Sequence, residues 1–101
     1  MPMTANGLAK LLEELGELSQ VAAKKLAYYH TDEHPDGSGS LARRLEQEMG
    51  DVRAAMSFVA EKLRLDKFAI VRRSNEKLER FREWDADPGN GADAFHEPPP
   101  D

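Results

Sequence analysis

Cysteine is absent from the 101 residues, which excludes a disulfide framework, a thiolate nucleophile and a Cys-ligated zinc site. Any metal ion must therefore sit on carboxylates or on the three histidines, and oxygen ligands point to a hard cation. Also missing is an uninterrupted apolar run of about 20 residues, the length that a membrane-crossing helix needs. The opening stretch MPMTANGLAKLLEELGEL has neither the basic start nor the apolar run of a secretory signal, so the expectation is a cytoplasmic protein with no membrane partner. A basic excess is lacking as well, since 14 Lys and Arg stand against 19 Asp and Glu, for a net charge of −5. All 14 basic residues lie at or before Arg82 and are matched by 14 acids up to Trp84, so the excess belongs to Asp85, Asp87, Asp93, Glu97 and Asp101. A neutral body without a basic stripe cannot displace many phosphate counterions, and duplex nucleic acid is not an expected partner.

What is present is helical periodicity. From about Thr4 to Tyr29, Leu8, Leu11, Leu12, Leu15, Leu18, Ala22 and Leu26 follow the three-and-four spacing of one helix face. The segment HTDEHPDGSGS, His30 to Ser40, breaks that pattern with a proline, two glycines and small polar residues, and reads as a loop. Ser40 can cap a second helix whose apolar positions are Leu41, Leu45, Met49, Val52, Met56, Val59 and Leu63, a seam built to pack on other helices. Asp66 offers the next N-cap, and Phe68, Val71, Leu78, Phe81 and Trp84 carry a third amphipathic helix to about Trp84. No alternating β-type stretch and no internal repeat occurs. The expected architecture is all-α: an antiparallel bundle of about three helices over residues 1–84, then an acidic Gly- and Pro-rich tail over 85–101. So short a helical core leaves much apolar surface uncovered, which predicts completion by homodimerisation.

The chemistry-bearing pattern is acidic. Glu14 and Glu17 on the first helix, and Glu48 and Asp51 on the second, are each three residues apart and hence neighbours on one face. Each pair borders its helix's apolar stripe, so packing the stripes together brings four carboxylates to one edge of the bundle. Like charges so placed repel unless protons or cations occupy the cluster. Magnesium takes oxygen ligands and commonly shares them with substrate phosphates, which points to phosphate chemistry. The plainer reading of either pair is a solvated helix face.

EELGE at Glu13 to Glu17, followed by EMGD at Glu48 to Asp51, resembles the EExxE and ExxD signature of the MazG-like all-α nucleoside triphosphate pyrophosphohydrolases. SNEKLERFREW from Ser74 to Trp84 is similar to that superfamily's third-helix stretch, so the likeness covers about residues 8 to 84. It implies Mg2+-dependent cleavage of a nucleoside triphosphate to the monophosphate and pyrophosphate, with Mn2+ as a possible substitute for Mg2+. It further implies that Glu14, Glu17, Glu48 and Asp51 hold metal, and that Glu14 or Glu17 also serves catalysis by accepting the attacking water's proton. Arg73, Asn75, Lys77 and Arg80 are the corresponding substrate-binding candidates. The assembly expected is a homodimer or a dimer of dimers.

Alternatives remain open for several of these residues. The basic side chains of helix three can equally pair with Glu76 and Glu79, and Lys10 can pair with Glu14 across one turn. Gly16 and Gly50, costly inside helices, suggest close backbone approach near the metal site or close packing alone. His30 and His34 flank Pro35 in no helical metal motif, and DADPGNGAD after Trp84 lacks the terminal Glu of a calcium loop. Tyr28, Tyr29 and Trp84 can stack on a base or fill helix contacts. Phosphoribosyl-ATP hydrolysis is a related activity, disfavoured by the VRAAMSF that follows Asp51. From a different class comes a non-catalytic helical scaffold or regulatory module.

Overall fold

The computed structural model describes residues 3–34, 37, 39–87 and 89. Three helices follow one another, α1 (Met3–Ala27), α2 (Leu41–Leu63) and α3 (Lys67–Ala86), with no strand among the described residues. The chain divides into two compact units, Met1–Leu65 and Asp66–Asp101. The first is an antiparallel α1–α2 hairpin; the second is built on α3.

The helix ends follow capping chemistry. The Ser40 side chain accepts a hydrogen bond from the Arg43 amide at 3.1 Å, satisfying one of the orphan donors of the first turn of α2. Its hydroxyl also donates to Asp32, whose other carboxylate oxygen accepts from the Ala42 amide at 2.8 Å. The carbonyl of Asp32 accepts from the Leu41 amide at 2.6 Å, and Glu33 and Ser40 form an isolated bridge. Asp32 and Glu33 thus tie the connection after α1 to the start of α2. Gly37 and Gly39, at φ +79° and +98°, supply the left-handed backbone that this return requires. α1 ends at Ala27, two residues before the expected Tyr29, in a turn where the Thr31 amide reaches the Tyr28 carbonyl at 3.0 Å. At the other end of α2, Arg64 takes the left-handed position at φ 53° and its amide meets the carbonyls of Ala60 and Glu61, closing the helix as glycine commonly does. Asp66 caps α3 through the amides of Phe68 and Ala69 at 2.9 and 3.1 Å. α3 continues to Ala86, so Asp85 and Ala86 of the expected tail are helical. The tail beyond residue 89, with Phe95, lies outside the described residues.

The hairpin core contains Val21, Leu41, Val52, Ala55, Val59 and Ala60. Along α1 the side facing α2 runs through Gly7, Leu11, Glu14, Leu18 and Val21; along α2 it runs through Leu41, Leu45, Glu48, Val52, Ala55 and Val59. A Cβ added at Gly7 would touch the Phe58 ring at 3.4 Å and Val59 at 3.7 Å, which shows how closely the start of α1 approaches the end of α2. This seam corrects the expected one. Met49, Met56 and Leu63 of the predicted α2 stripe are exposed, as are Leu8, Leu12 and Leu15 of the α1 stripe. The physical reason is stripe width: the apolar arc of each helix is broader than the contact between two helices, and Ala55 and Ala60 let the backbones meet on one side of it. At 70% and 55% exposure, Leu12 and Met49 therefore belong to a second apolar surface of the hairpin.

Candidate metal centre

Antiparallel pairing of α1 with α2 sets the middle of one helix beside the middle of the other, and Glu14, Glu17, Glu48 and Asp51 meet there. Each offers one carboxylate oxygen, and the four oxygens lie within 4.8 Å of one another. Glu14 and Glu48 occupy seam positions themselves and are half-buried, whereas Glu17 and Asp51 are exposed. The spacing argument placed the pairs beside the stripes; the structure puts one member of each pair inside the seam. Glu17 follows Leu8 by nine residues, about two and a half turns, and so projects from the opposite side of α1. The hairpin thus carries its acids on one face and its uncovered leucines on the other.

The electrostatics follow from that burial. The Glu14 carboxyl is raised above the usual carboxylate range, first by desolvation and then by the charges of Glu17 and Asp51, with Lys10 acting in the opposite direction. Glu48 is raised in the same way, by desolvation, then by Glu17 and Asp51, with Arg44 opposing. One oxygen each of Glu14 and Glu48 is buried without a hydrogen-bond partner. A buried carboxylate oxygen left so is costly unless a proton or a cation satisfies it. The donor set, oxygen alone, suits a hard divalent cation. Oxygens on opposite sides of Mg2+ lie about 4.2 Å apart, so the observed spacing requires only a small closure of the side chains.

Arg44 is a residue that sequence reasoning passed over; its signal is the four-residue step to Glu48 on one helix face. Lys10 forms its ion pair with Glu13 at 3.1 Å rather than with Glu14, because the three-residue step keeps the pair on the exposed side of α1. Gly16 and Gly50 are not sites of close approach among the described residues: a Cβ at either would meet nothing within 4 Å. They flank the acids in a matched pattern, Glu14-Leu15-Gly16-Glu17 and Glu48-Met49-Gly50-Asp51, on helix surfaces open to solvent.

The substrate-binding candidates Arg73, Asn75, Lys77 and Arg80 all lie on α3, in the second unit. Arg73 pairs with Glu76 at 3.4 Å, and the Lys77 ammonium lies 5.1 Å from the centre of the Phe81 ring. Lys77 and Arg80 are half-buried and Asn75 is exposed. Among the described residues no histidine joins a metal-ligand cluster. His34 meets Tyr28 edge to face at 5.1 Å and His30 lies against Tyr29 at 3.8 Å between ring centres. Trp84, with Phe81, Arg82 and Asp85, lines a shallow open hollow at the end of α3. The calcium-like stretch falls mostly outside the described residues. No helix among the described residues is long and apolar enough to cross a membrane.

No protein-family model matches the chain, and no match is found among curated proteins or solved structures.

Proposed function

We propose that the protein is a Mg2+-dependent nucleoside triphosphate pyrophosphohydrolase of MazG-like type that releases the monophosphate and pyrophosphate. The observation that carries this reading is the convergence of Glu14, Glu17, Glu48 and Asp51 from two helices, with two buried oxygens left unsatisfied. A scattered set of surface acids does not produce buried oxygens of this kind, because exposed carboxylates keep their hydration. The four side chains would hold the metal, and Mg2+ or Mn2+ bound there supplies charge neutralisation of phosphate and a water of lowered pKa. Glu14 or Glu17 accepts the proton of the attacking water, the role that the resemblance implies for one of the two. Lys77 and Arg80, three apart on one face of α3, with Arg73 one turn before Lys77, are the chain's proposed phosphate contacts.

The reading includes self-association as a homodimer or a dimer of dimers, supported by the exposure of Leu8, Leu12, Leu15, Met49 and Met56. Burying them removes apolar surface from water without covering Glu17 and Asp51. The test is incubation with ribo- and deoxyribonucleoside triphosphates and Mg2+, with pyrophosphate and monophosphate assayed apart from inorganic phosphate. Pyrophosphate release that disappears in Glu14→Gln and in Glu48→Gln is the expected result. No turnover of any nucleotide, together with no metal binding, removes the enzyme reading and leaves a helical scaffold.

A further inference from the structure

α3 is a 20-residue helix with no buried residue. Its half-buried positions, Ala69, Lys77, Arg80 and Trp84, share one side. Around the axis from them runs a second stripe, Phe68, Val71, Asn75, Leu78 and Arg82, in alternating steps of three and four. Its three apolar members are 83%, 57% and 45% exposed. Such spacing is that of a two-helix seam, in which apolar residues repeat every 3.5 positions; a polar residue within it, here Asn75, restricts the register, and Arg82 ends the stripe.

We propose that this stripe is a self-association surface on which α3 of a second copy of the chain packs antiparallel. The proposal rests on the self-association in the reading above and on none of its chemistry. Charge complementarity selects both the partner and the direction. Arg72 and Glu79, both exposed, sit immediately after Val71 and Leu78, two turns apart on one border of the seam. In an antiparallel pair Arg72 of each copy faces Glu79 of the other, giving two opposite-charge contacts related by the two-fold axis. A parallel pair instead brings Lys67 of one copy toward Arg72 of the other, a like-charge contact. A two-fold interface repeats every favourable contact, so one complementary pair counts twice.

The absence of cysteine makes cross-linking of the full-length chain a direct test. Arg72→Cys and Glu79→Cys variants are prepared separately, mixed, and treated with a short bis-maleimide. The antiparallel seam gives a covalent dimer in the mixture and little in either variant alone, since the like positions lie two turns apart. In parallel, sedimentation equilibrium is run on Arg72→Glu, Glu79→Arg and the double exchange. Each single reversal weakens association about tenfold, from two attractive surface contacts turned repulsive, and the double exchange restores it. Cross-links within a single variant only, or a dimer indifferent to all three charge variants, overturns the proposal while leaving self-association through another surface intact. A chain that sediments as a monomer overturns both.

Discussion

Glu14 of α1 and Glu48 of α2 face each other across the hairpin seam, each with one buried carboxylate oxygen that accepts no hydrogen bond, at a place in each helix where a core residue would otherwise stand. Replacing two apolar contacts with two acids sacrifices packing at the centre of a small core. That sacrifice is what the proposed metal centre rests on.

A cation that satisfies these oxygens binds the folded state alone and stabilises it by mass action. Addition of Mg2+ or Mn2+ at ten times its Kd is expected to raise Tm by about 5 °C or more, measured by scanning calorimetry. The increase disappears in Glu48→Gln and in Glu14→Gln.

Without metal, stability depends on pH in a defined direction. Both Glu14 and Glu48 are raised in the folded state by desolvation and neighbouring acids. As pH rises from the ordinary glutamate value toward the raised ones, the unfolded chain binds fewer protons than the folded chain and stability falls, levelling off above the folded values. Asp32 is lowered instead, by the Ser40 hydrogen bond and then the Ala42 amide. Its contribution is present above the ordinary aspartate value and is lost as pH falls through its folded one. Metal-free Tm is therefore expected to peak in mildly acid solution. Glu14→Gln/Glu48→Gln flattens the high-pH limb and Asp32→Asn the low-pH limb.

Gly16→Ala and Gly50→Ala are each expected to stabilise the chain by about 0.5–1 kcal/mol, since a helix-interior glycine is costly and the added methyl meets nothing within 4 Å. Urea unfolding measures the gain. A variant that gains stability yet loses turnover shows that the bare backbone beside the acids is reserved for substrate.

Leu41 is fully buried at the first turn of α2, beneath the cap. Leu41→Ala is expected to cost about 3 kcal/mol, and Ser40→Ala about 1 kcal/mol, both read from denaturant midpoints.

Much of this was legible in the residues because helices report themselves locally. Ser40 and Asp66 announce their helices through side-chain caps, the Pro- and Gly-containing stretch between Tyr29 and Ser40 interrupts the period, and the three-residue step of each acidic pair already puts its members on one face. The assignment of sides was not legible. A stripe as broad as Leu8, Leu11, Leu12, Leu15 and Leu18 offers two faces of nearly equal apolarity, and which one meets α2 depends on the register and rotation of a helix more than 20 residues away in sequence. Packing chose the face containing Glu14 and Glu48, left Leu12 and Met49 in solvent, and set Gly7 rather than Gly16 or Gly50 against a neighbouring side chain. A shorter separation, eight residues, was enough to hide Asp32, which caps α2 together with Ser40. Periodicity and capping are properties of a few consecutive residues, whereas the desolvation that raises two carboxyls arises only when two helices close on each other.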